Sequence, residues 1–375
     1  MIGHLRRIYA LADKEVRHIL RDPRTVYLSL AFPGVMLLLF GFGVSFDLDQ
    51  LPIALVDLDR SAASRELVRR AAASHDFVAK AHPATVAEAE RMLVRGDVLG
   101  ALVVPRGFEE DLRRGRDVEI QLLLDGSDAN SAVQAQGKLD AVVQVGGASL
   151  AAPPGLVGLE APLEARLFTR YNPSARSAVF LVPGLTAYVL AIVAVLLTAL
   201  TVAREWEKGS MAQLFATPVA RIEIVLGKLL PYVVLGSLAV LLVIAMGSWI
   251  FDVPFRGSPF ALAVLSLLFL VGMLAQGLLI SIIAQNQMVA TQAGALSSML
   301  PSMLLSGFIF PIENMPVALQ WLTAIVPARY YVEGLRGVLL RGNGLGELWA
   351  QALALLAFAT VVIAVATVRF RRTVA

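Results

Sequence analysis

The chain of 375 residues contains no cysteine. This excludes a disulfide framework and any thiolate metal site, so whatever part of the chain lies outside a membrane folds on its apolar core alone. Charge is scarce too: 16% of residues are charged and 57% hydrophobic, with a mean hydropathy of +0.70, where an ordinary soluble domain is roughly one quarter charged. Asp, Glu, Lys, Arg and His are all missing from residues 25–46, 177–203, 229–251, 257–312 and 348–368. A helix needs about 20 apolar residues to cross the hydrocarbon of a bilayer. Four of these stretches have the length of one crossing. The fourth along the chain, 257–312, has the length of two, with Gln285-Asn286-Gln287 marking a turn between them. The expected spans are 25–46, 177–203, 229–251, 257–284, 288–312 and 348–368. The first starts too late and runs too long for a cleaved signal peptide and is read as a retained helix.

Other absences narrow the function. No Gly-x-x-x-x-Gly-Lys-Ser/Thr run occurs, so the chain lacks the loop that cradles nucleotide phosphates, and energy for any pumping comes from elsewhere. An ion-coupled secondary transporter is the natural alternative, but it needs ionisable groups inside the membrane, and the charge-free spans supply none. A membrane-embedded hydrolase ranks last, because His4, His18, His75 and His82 all lie outside the apolar stretches. The net charge of only +3 gives no reason to expect a nucleic-acid partner; the placement of the charge says more than its sum.

Orientation follows Lys and Arg in short flanking segments. Arg6, Arg7, Lys14, Arg17, Arg21 and Arg24 precede the first span; Arg204, Lys208, Arg221 and Lys228 separate the second and third; Arg369, Arg371 and Arg372 follow the last. All three groups are assigned to the cytoplasm, which puts both termini inside and residues 47–176 and 313–347 outside. Residues 1–24 carry Leu5, Ile8, Leu11, Ala12, Val16, Ile19 and Leu20 at helical spacing and are expected to form an amphipathic helix on the inner leaflet, an anchor rather than a part of the transport path.

Residues 47–176 are expected to form an α/β extracytoplasmic domain between the first two spans, with strands near 53–56, 99–104 and 118–124 and helices near 62–73, 86–94 and 131–145. Asp57, Asp59, Arg60 and Asp125 fall at strand ends and helix starts, where capping explains them. A Pro- and Gly-rich linker at 151–158 leads to an extended stretch at 163–170.

The segment 204–228 reads Arg204-Glu205-Trp206-Glu207-Lys208-Gly209-Ser210-Met211-Ala212-Gln213-Leu214-Phe215-Ala216-Thr217-Pro218, then Ala220 to Gly227-Lys228. Met211, Leu214 and Phe215 stand at i, i+3 and i+4 and make an apolar knob beside charged Glu205, Glu207 and Lys208. This loop resembles that of ABC-2 type permeases, in which a charged Arg-Glu turn, a Gly, a short helix and a Thr-Pro break precede a helix ending in Gly-Lys. The resemblance implies that Arg204, Glu205, Glu207, Lys208, Gly209, Met211, Leu214 and Phe215 couple the chain to an ATP-binding subunit.

A second match to the same family runs from Leu305-Ser306-Gly307-Phe308-Ile309-Phe310-Pro311-Ile312-Glu313-Asn314-Met315-Pro316 through Pro327-Ala328-Arg329-Tyr330-Tyr331 to Glu333-Gly334-Leu335-Arg336-Gly337. Asn314 is suited to cap a helix with Pro316 near its first turn, Pro327 separates it from a second helix, and Glu333 is within reach of both Arg329 and Arg336. Two short outer helices result. The resemblance implies that they form a re-entrant hairpin, with Phe308, Pro311, Asn314, Pro316, Pro327, Arg329, Glu333 and Arg336 closing the outer end of the path. Gly294, Ser298, Ser302 and Ser306, spaced by four, form a small-residue stripe read as a helix-packing surface.

Taken together, the chain is expected to be an all-α membrane domain of six helices with an inserted α/β domain. By resemblance it is the permease subunit of a bacterial inner-membrane exporter of drugs or other amphiphiles. The same resemblance implies a second permease subunit, a separate subunit that holds ATP and Mg, and a periplasmic adaptor. No cofactor is expected on this chain itself.

Overall fold

The computed structural model describes residues 2–43, 51–74, 77–116, 118–125, 135–140, 142–143, 176–209 and 219–370. The chain divides into two compact units, one of residues 1–44 and 171–375, the other of residues 45–170.

In the larger unit four helices are long and apolar enough to cross a membrane: Ser177–Glu207, Arg221–Ile250, Pro259–Ala284 and Trp349–Arg369. Two further apolar helical segments flank them. One is the run Pro23–Val26, Tyr27–Ala31 and Phe32–Gly43, with a π-helical turn in its middle. The other is Gln287–Leu304, which Asn286 caps by accepting the Val289 N–H at 3.1 Å. That helix stops at Leu304, short of the expected end at 312, and the chain turns out through Gly307 at φ +76°, a left-handed conformation that glycine adopts without steric cost. The Arg221–Ile250 helix begins ahead of the expected 229 and passes through Gly227 and Lys228 without a break, so Gly-Lys does not end a helix here.

Ser177–Glu207 is the central helix; four-fifths of its apolar window is buried (78%). Small and hydroxylated residues allow the close approach. A Cβ at Gly277 would lie 2.2 Å from the Val195 carbonyl, and the Thr198 hydroxyl donates across to the Leu274 carbonyl at 2.7 Å. Gly294, Ser298, Ser302 and Ser306 are buried, and Gly294 faces Val195 and Ala199; the stripe packs within the chain, as small residues do between membrane helices. Trp349–Arg369 is the opposite case, only 17% buried.

The smaller unit holds a four-stranded sheet in the order β2-β1-β3-β4, where β1 is Leu51–Asp57, β2 Phe77–Ala81, β3 Gly100–Val104 and β4 Gln121–Leu124. β1 pairs parallel with β2 and β3, and β3 antiparallel with β4. Helices Ala62–Ala73 and Val86–Val94 carry the two crossovers that the parallel strands require. Leu51, Ile53, Leu55 and Leu102 pack on one face of the sheet, Ala54, Val56, Ala101 and Val103 on the other. β2 and the short helix Phe108–Arg113 are absent from the sequence reading: β2 is five residues with Lys80 and two alanines, and Phe108–Arg113 is under two turns. The linker at 151–158 and the stretch at 163–170 lie outside the described residues.

Hydrogen bonds to turns and helix starts account for Asp57 and Asp59. Asp57 accepts the N–H groups of Asp59 and Arg60 at 3.1 and 2.8 Å and the Ser64 hydroxyl at 3.0 Å. Asp59 accepts the N–H groups of Gly107 and Glu109, at 2.8 and 3.1 Å, at the start of the Phe108–Arg113 helix.

Candidate functional site

The Ser177–Glu207 helix has 31 residues, about 45 Å at 1.5 Å per residue. Each of its ends carries one of the clusters expected from sequence.

At the Glu207 end, charges converge from elements far apart in the chain. Lys228 is buried and bridges two acids at 2.8 Å each, Glu15 of the Ile2–Arg21 helix and Glu205. Lys14 holds the other Glu205 oxygen at 2.9 Å. Arg204 reaches Asp22 at 3.4 Å and the His18 ring at 3.1 Å. Glu207 accepts the Gln287 N–H at 2.8 Å and also its side-chain amide, which ties it to the start of the Gln287–Leu304 helix. Glu223 is buried, accepts the Ala220 N–H at 2.7 Å and pairs with His4 and, at 3.7 Å, Arg7. A buried lysine shared between two carboxylates keeps its charge, because the pairing offsets desolvation, and removing one member would strand the others.

The first helix is therefore more than the expected anchor. Ala12, Glu15 and Ile19 are buried, and Leu11 lies so close to Gly227 that a Cβ there would sit 2.7 Å from its own Cβ. Leu5, Tyr9, Val16 and Leu20 form a separate exposed apolar stripe, which suits a helix lying in the headgroup region. Sequence reasoning missed Lys14, Glu15, His18 and Asp22. The signal was Glu15, an acid set one turn from Leu11, Ala12 and Ile19 on the apolar face.

Of the expected coupling residues, Arg204, Glu205, Glu207 and Lys208 belong to this end, and Gly209, at φ +69°, turns the chain off the helix. Met211, Leu214 and Phe215 lie outside the described residues. A cavity of about 500 Å³ opens beside the cluster, with Lys14, His18, Arg204 and Lys208 at its rim and Leu28, Leu196, Leu200 and Tyr232 on its wall.

At the other end the arrangement is different. Phe308 is buried against Gly184, where a Cβ would come within 2.1 Å of its ring, and stacks on Tyr188 at 6.1 Å. Arg336 donates to the carbonyls of Gly307 and Phe308, at 3.0 and 3.4 Å, and lies 4.4 Å over the Phe180 ring. The expected Arg329–Glu333 and Glu333–Arg336 pairs do not form. Arg329 donates to the Thr323 hydroxyl at 2.6 Å, and Arg336 is drawn to the carbonyls of the Gly307–Phe308 turn beyond the preceding helix.

Pro327 does separate two helices, Val317–Thr323 and Pro327–Arg336, the second buried through Pro327, Ala328, Tyr331 and Leu335. Asn314 is not a cap. It closes the 3₁₀ turn Ile312–Asn314, and Pro316 stands at the N-cap of Val317–Thr323. Pro311, Asn314 and Pro316 instead line an apolar cavity of about 540 Å³ with Leu300, Leu304 and Phe310. Among the described residues no group of three His, Cys, Asp or Glu is placed to hold a metal.

Residues 25–368 match the family model described as ABC-2 family transporter protein. The chain belongs to the ABC-2 family. This ABC-2 chain is 35% identical to the probable multidrug ABC transporter permease YbhS of Escherichia coli over 372 residues, which is 98% of this chain and 97% of that relative. It is 31% identical to the probable multidrug ABC transporter permease YbhR of the same organism, over 98% of this chain and 99% of the relative. The linearmycin resistance permease protein LnrN of Bacillus subtilis is 23% identical over 96% of this chain and 98% of its own length. These relatives give no support to the ion-coupled alternative, and the chain is a membrane permease without a nucleotide site of its own.

Proposed function

We propose that the chain is the permease subunit of an ATP-driven exporter that carries drugs or other amphiphiles out of the cytoplasm or inner leaflet. It crosses the bacterial inner membrane six times with both termini inside, the Pro23–Gly43 run and Gln287–Leu304 completing the four long helices. A second permease subunit pairs with it, a separate subunit holds ATP and Mg, and a periplasmic adaptor meets residues 47–176. Exposed Trp249, Trp321 and Trp349 suit one headgroup belt, and the Lys and Arg cluster at the opposite helix ends suits the cytoplasmic side.

The observation that carries the mechanism is the shared ion cluster at Lys228. Motion delivered to the 210–218 connection enters the membrane unit at Glu205 and Glu207, and these acids are tied to the Ile2–Arg21 helix, to Arg221–Ile250 and to Gln287–Leu304. A push there would be shared among three elements rather than absorbed by one loop. At the far end, Arg336 holds the Gly307–Phe308 turn and Phe308 fills the Gly184 notch, which makes this pair the outer closure; Pro311, Asn314, Pro316, Pro327, Arg329 and Glu333 form its hairpin.

The test is to isolate the chain from its native membrane in mild detergent and measure vanadate-sensitive ATPase activity in the preparation. A stoichiometric ATP-binding partner is expected. A stable preparation that reproducibly lacks one would overturn the reading. In the intact complex, Leu214→Asp should leave ATP hydrolysis in place and abolish export, because it puts a charge into the apolar knob that the partner's groove would hold.

A further inference from the structure

Pro301 lies inside the Gln287–Leu304 helix. Proline has no N–H, so the Ser297 carbonyl one turn earlier loses its helical donor, and the pyrrolidine ring crowds it. In hydrocarbon no water replaces that donor, and a neighbouring helix has to supply one. Here the Gln276 amide of Pro259–Ala284 reaches the Ser297 carbonyl at 3.4 Å and the Ser297 hydroxyl at 3.2 Å. Gln276 stands eight residues, about 12 Å, inside the Ala284 end of its helix, among buried Leu274, Ala275, Gly277 and Leu278. An amide at that depth answers the carbonyl that Pro301 exposes.

Beyond Pro301 the chain is bonded into one unit as far as Phe308. The Pro301 carbonyl accepts the Leu305 N–H at 2.9 Å, the Ser302 carbonyl accepts the Ser306 hydroxyl, and the Ser306 oxygen accepts the Phe308 N–H at 3.2 Å. Proline is where helices bend, and this unit has room to turn. Leu300, Pro301, Leu304 and Leu305 line the apolar cavity of about 540 Å³. Leu300 and Leu304 stand two residues, about 200°, around the helix from buried Ser298 and Ser302. A swing into the cavity therefore draws Ser302 and Ser306 off the Ser177–Glu207 helix and Phe308 out of the Gly184 notch.

We infer that Pro301 is the hinge on which residues 302–308 turn, and that Gln276 is a positioning residue that holds the hinge in its closed setting through the Ser297 carbonyl. Both contacts are at the long end of the hydrogen-bond range, as suits a clasp that is released and remade. The use of this hinge as a gate rests on the reading of Phe308 as the outer closure; the hinge itself does not.

The test is a double-mutant cycle in the intact complex. Gln276→Met keeps the length of the side chain and removes the amide, whereas Pro301→Ala returns an N–H to the Ser297 carbonyl. A trifluoromethyl label on a cysteine placed at exposed Leu304, in a chain that has no other cysteine, reports the two settings of the segment by fluorine NMR. Gln276→Met should raise the displaced population about three- to tenfold, the worth of one hydrogen bond between membrane helices. In the Pro301→Ala background it should change nothing, because the carbonyl then has its own donor. Should Gln276→Met fail to assemble, Gln276→Leu gives the same readings.

An equal rise in both backgrounds would mean that Gln276 acts by packing and would overturn the inference, as would no rise with Pro301 present. Ser297→Ala, which removes only the hydroxyl, should have the smaller effect; one as large as that of Gln276→Met would put the bond on the hydroxyl and also overturn it. Labelling of a cysteine at position 188 in the same variants separates the hinge from the closure. A reporter at 304 that follows the cycle while position 188 stays equally protected throughout leaves the hinge standing and removes Phe308 as the outer closure.

Discussion

The two ends of the Ser177–Glu207 helix solve the same problem, a charge removed from water, in different ways. At the Glu207 end Lys228 is shared by two carboxylates and backed by Lys14. At the Phe308 end Arg336 has no carboxylate; two carbonyls and the Phe180 face serve instead, and its Nε is buried without a hydrogen-bond partner among the described residues. Formal pairs hold strongly and fail all at once when a member is lost, whereas carbonyl and ring contacts are weaker and individually replaceable. That difference fits the roles proposed above, an input end at Glu205 and Glu207 and an outer closure at Phe308.

The largest effect is expected from Lys228→Met. It strands buried Glu15 and leaves Glu205 with Lys14 alone, and should lower stability by about 3–5 kcal/mol, the usual cost of breaking a buried pair from one side. Arg336→Met removes a cation that has no acid to strand and leaves two carbonyls short of a donor, a loss of about 1–3 kcal/mol. Thermal unfolding in detergent would compare them. Equal losses would erase the distinction between the ends. Making Glu15 and Glu205 apolar in the Lys228→Met background should recover much of the loss, since an apolar replacement of a whole buried ionic cluster is often neutral.

Phe308→Ala comes next. Truncating a buried aromatic ring opens a cavity worth about 3 kcal/mol where the site cannot collapse, but Phe308 lies on a turn outside any helix, so part of the loss should be recovered by local collapse. The specific expectation is increased accessibility at Tyr188, read by labelling a cysteine introduced at position 188 in otherwise cysteine-free protein, because a side chain at 184 would itself displace the Phe308 ring. Unchanged labelling would mean that Phe308 does not close this end. Ser302→Leu should cost about 1–3 kcal/mol by overpacking against Ser177–Glu207. It acts through a contact inside one chain, so the loss should appear as lowered melting temperature rather than as dissociation of subunits.

How much of this could be read from residues alone differs between the same regions. The four long helices are visible as charge-free runs, because hydrocarbon forbids unpaired charge over about 20 residues. β1 and β3 are visible as short apolar runs bounded by Asp and Gly, and the stripe from Gly294 to Ser306 by its spacing of four. The Lys228 cluster was not visible. Its members are separated by 213 residues for Glu15 and Lys228, and local periodicity carries no information at that distance. Arg329, Glu333 and Arg336 show the opposite failure: their spacing favours local pairs, but the carbonyls beyond Leu304 and the Thr323 hydroxyl compete for the same guanidinium groups and win.

The smallest effect belongs to a carboxylate that water still reaches. Burial is the largest single influence and raises the Asp59 carboxyl, but hydrogen bonds from the Ser61 side chain and from the backbone N–H groups of Glu109, Gly107 and Phe108 together outweigh it and hold the group below its ordinary value of 3.8. A carboxyl lowered on folding stabilises the folded state above its ordinary pKa, and that contribution disappears as the pH falls through the lower folded value. Amide exchange at Gly107 and Glu109, corrected for intrinsic rate, should therefore lose protection progressively as the pH falls below about 4. Asp59→Asn should flatten this pH dependence while keeping part of the cap, because the amide oxygen still accepts a hydrogen bond. An equally steep loss in the variant would assign the acid sensitivity to another carboxylate. A flattened dependence sharpens the comparison with Lys228: in the α/β unit a single half-buried acid tunes one turn of helix, whereas in the membrane unit one buried base holds three helices together.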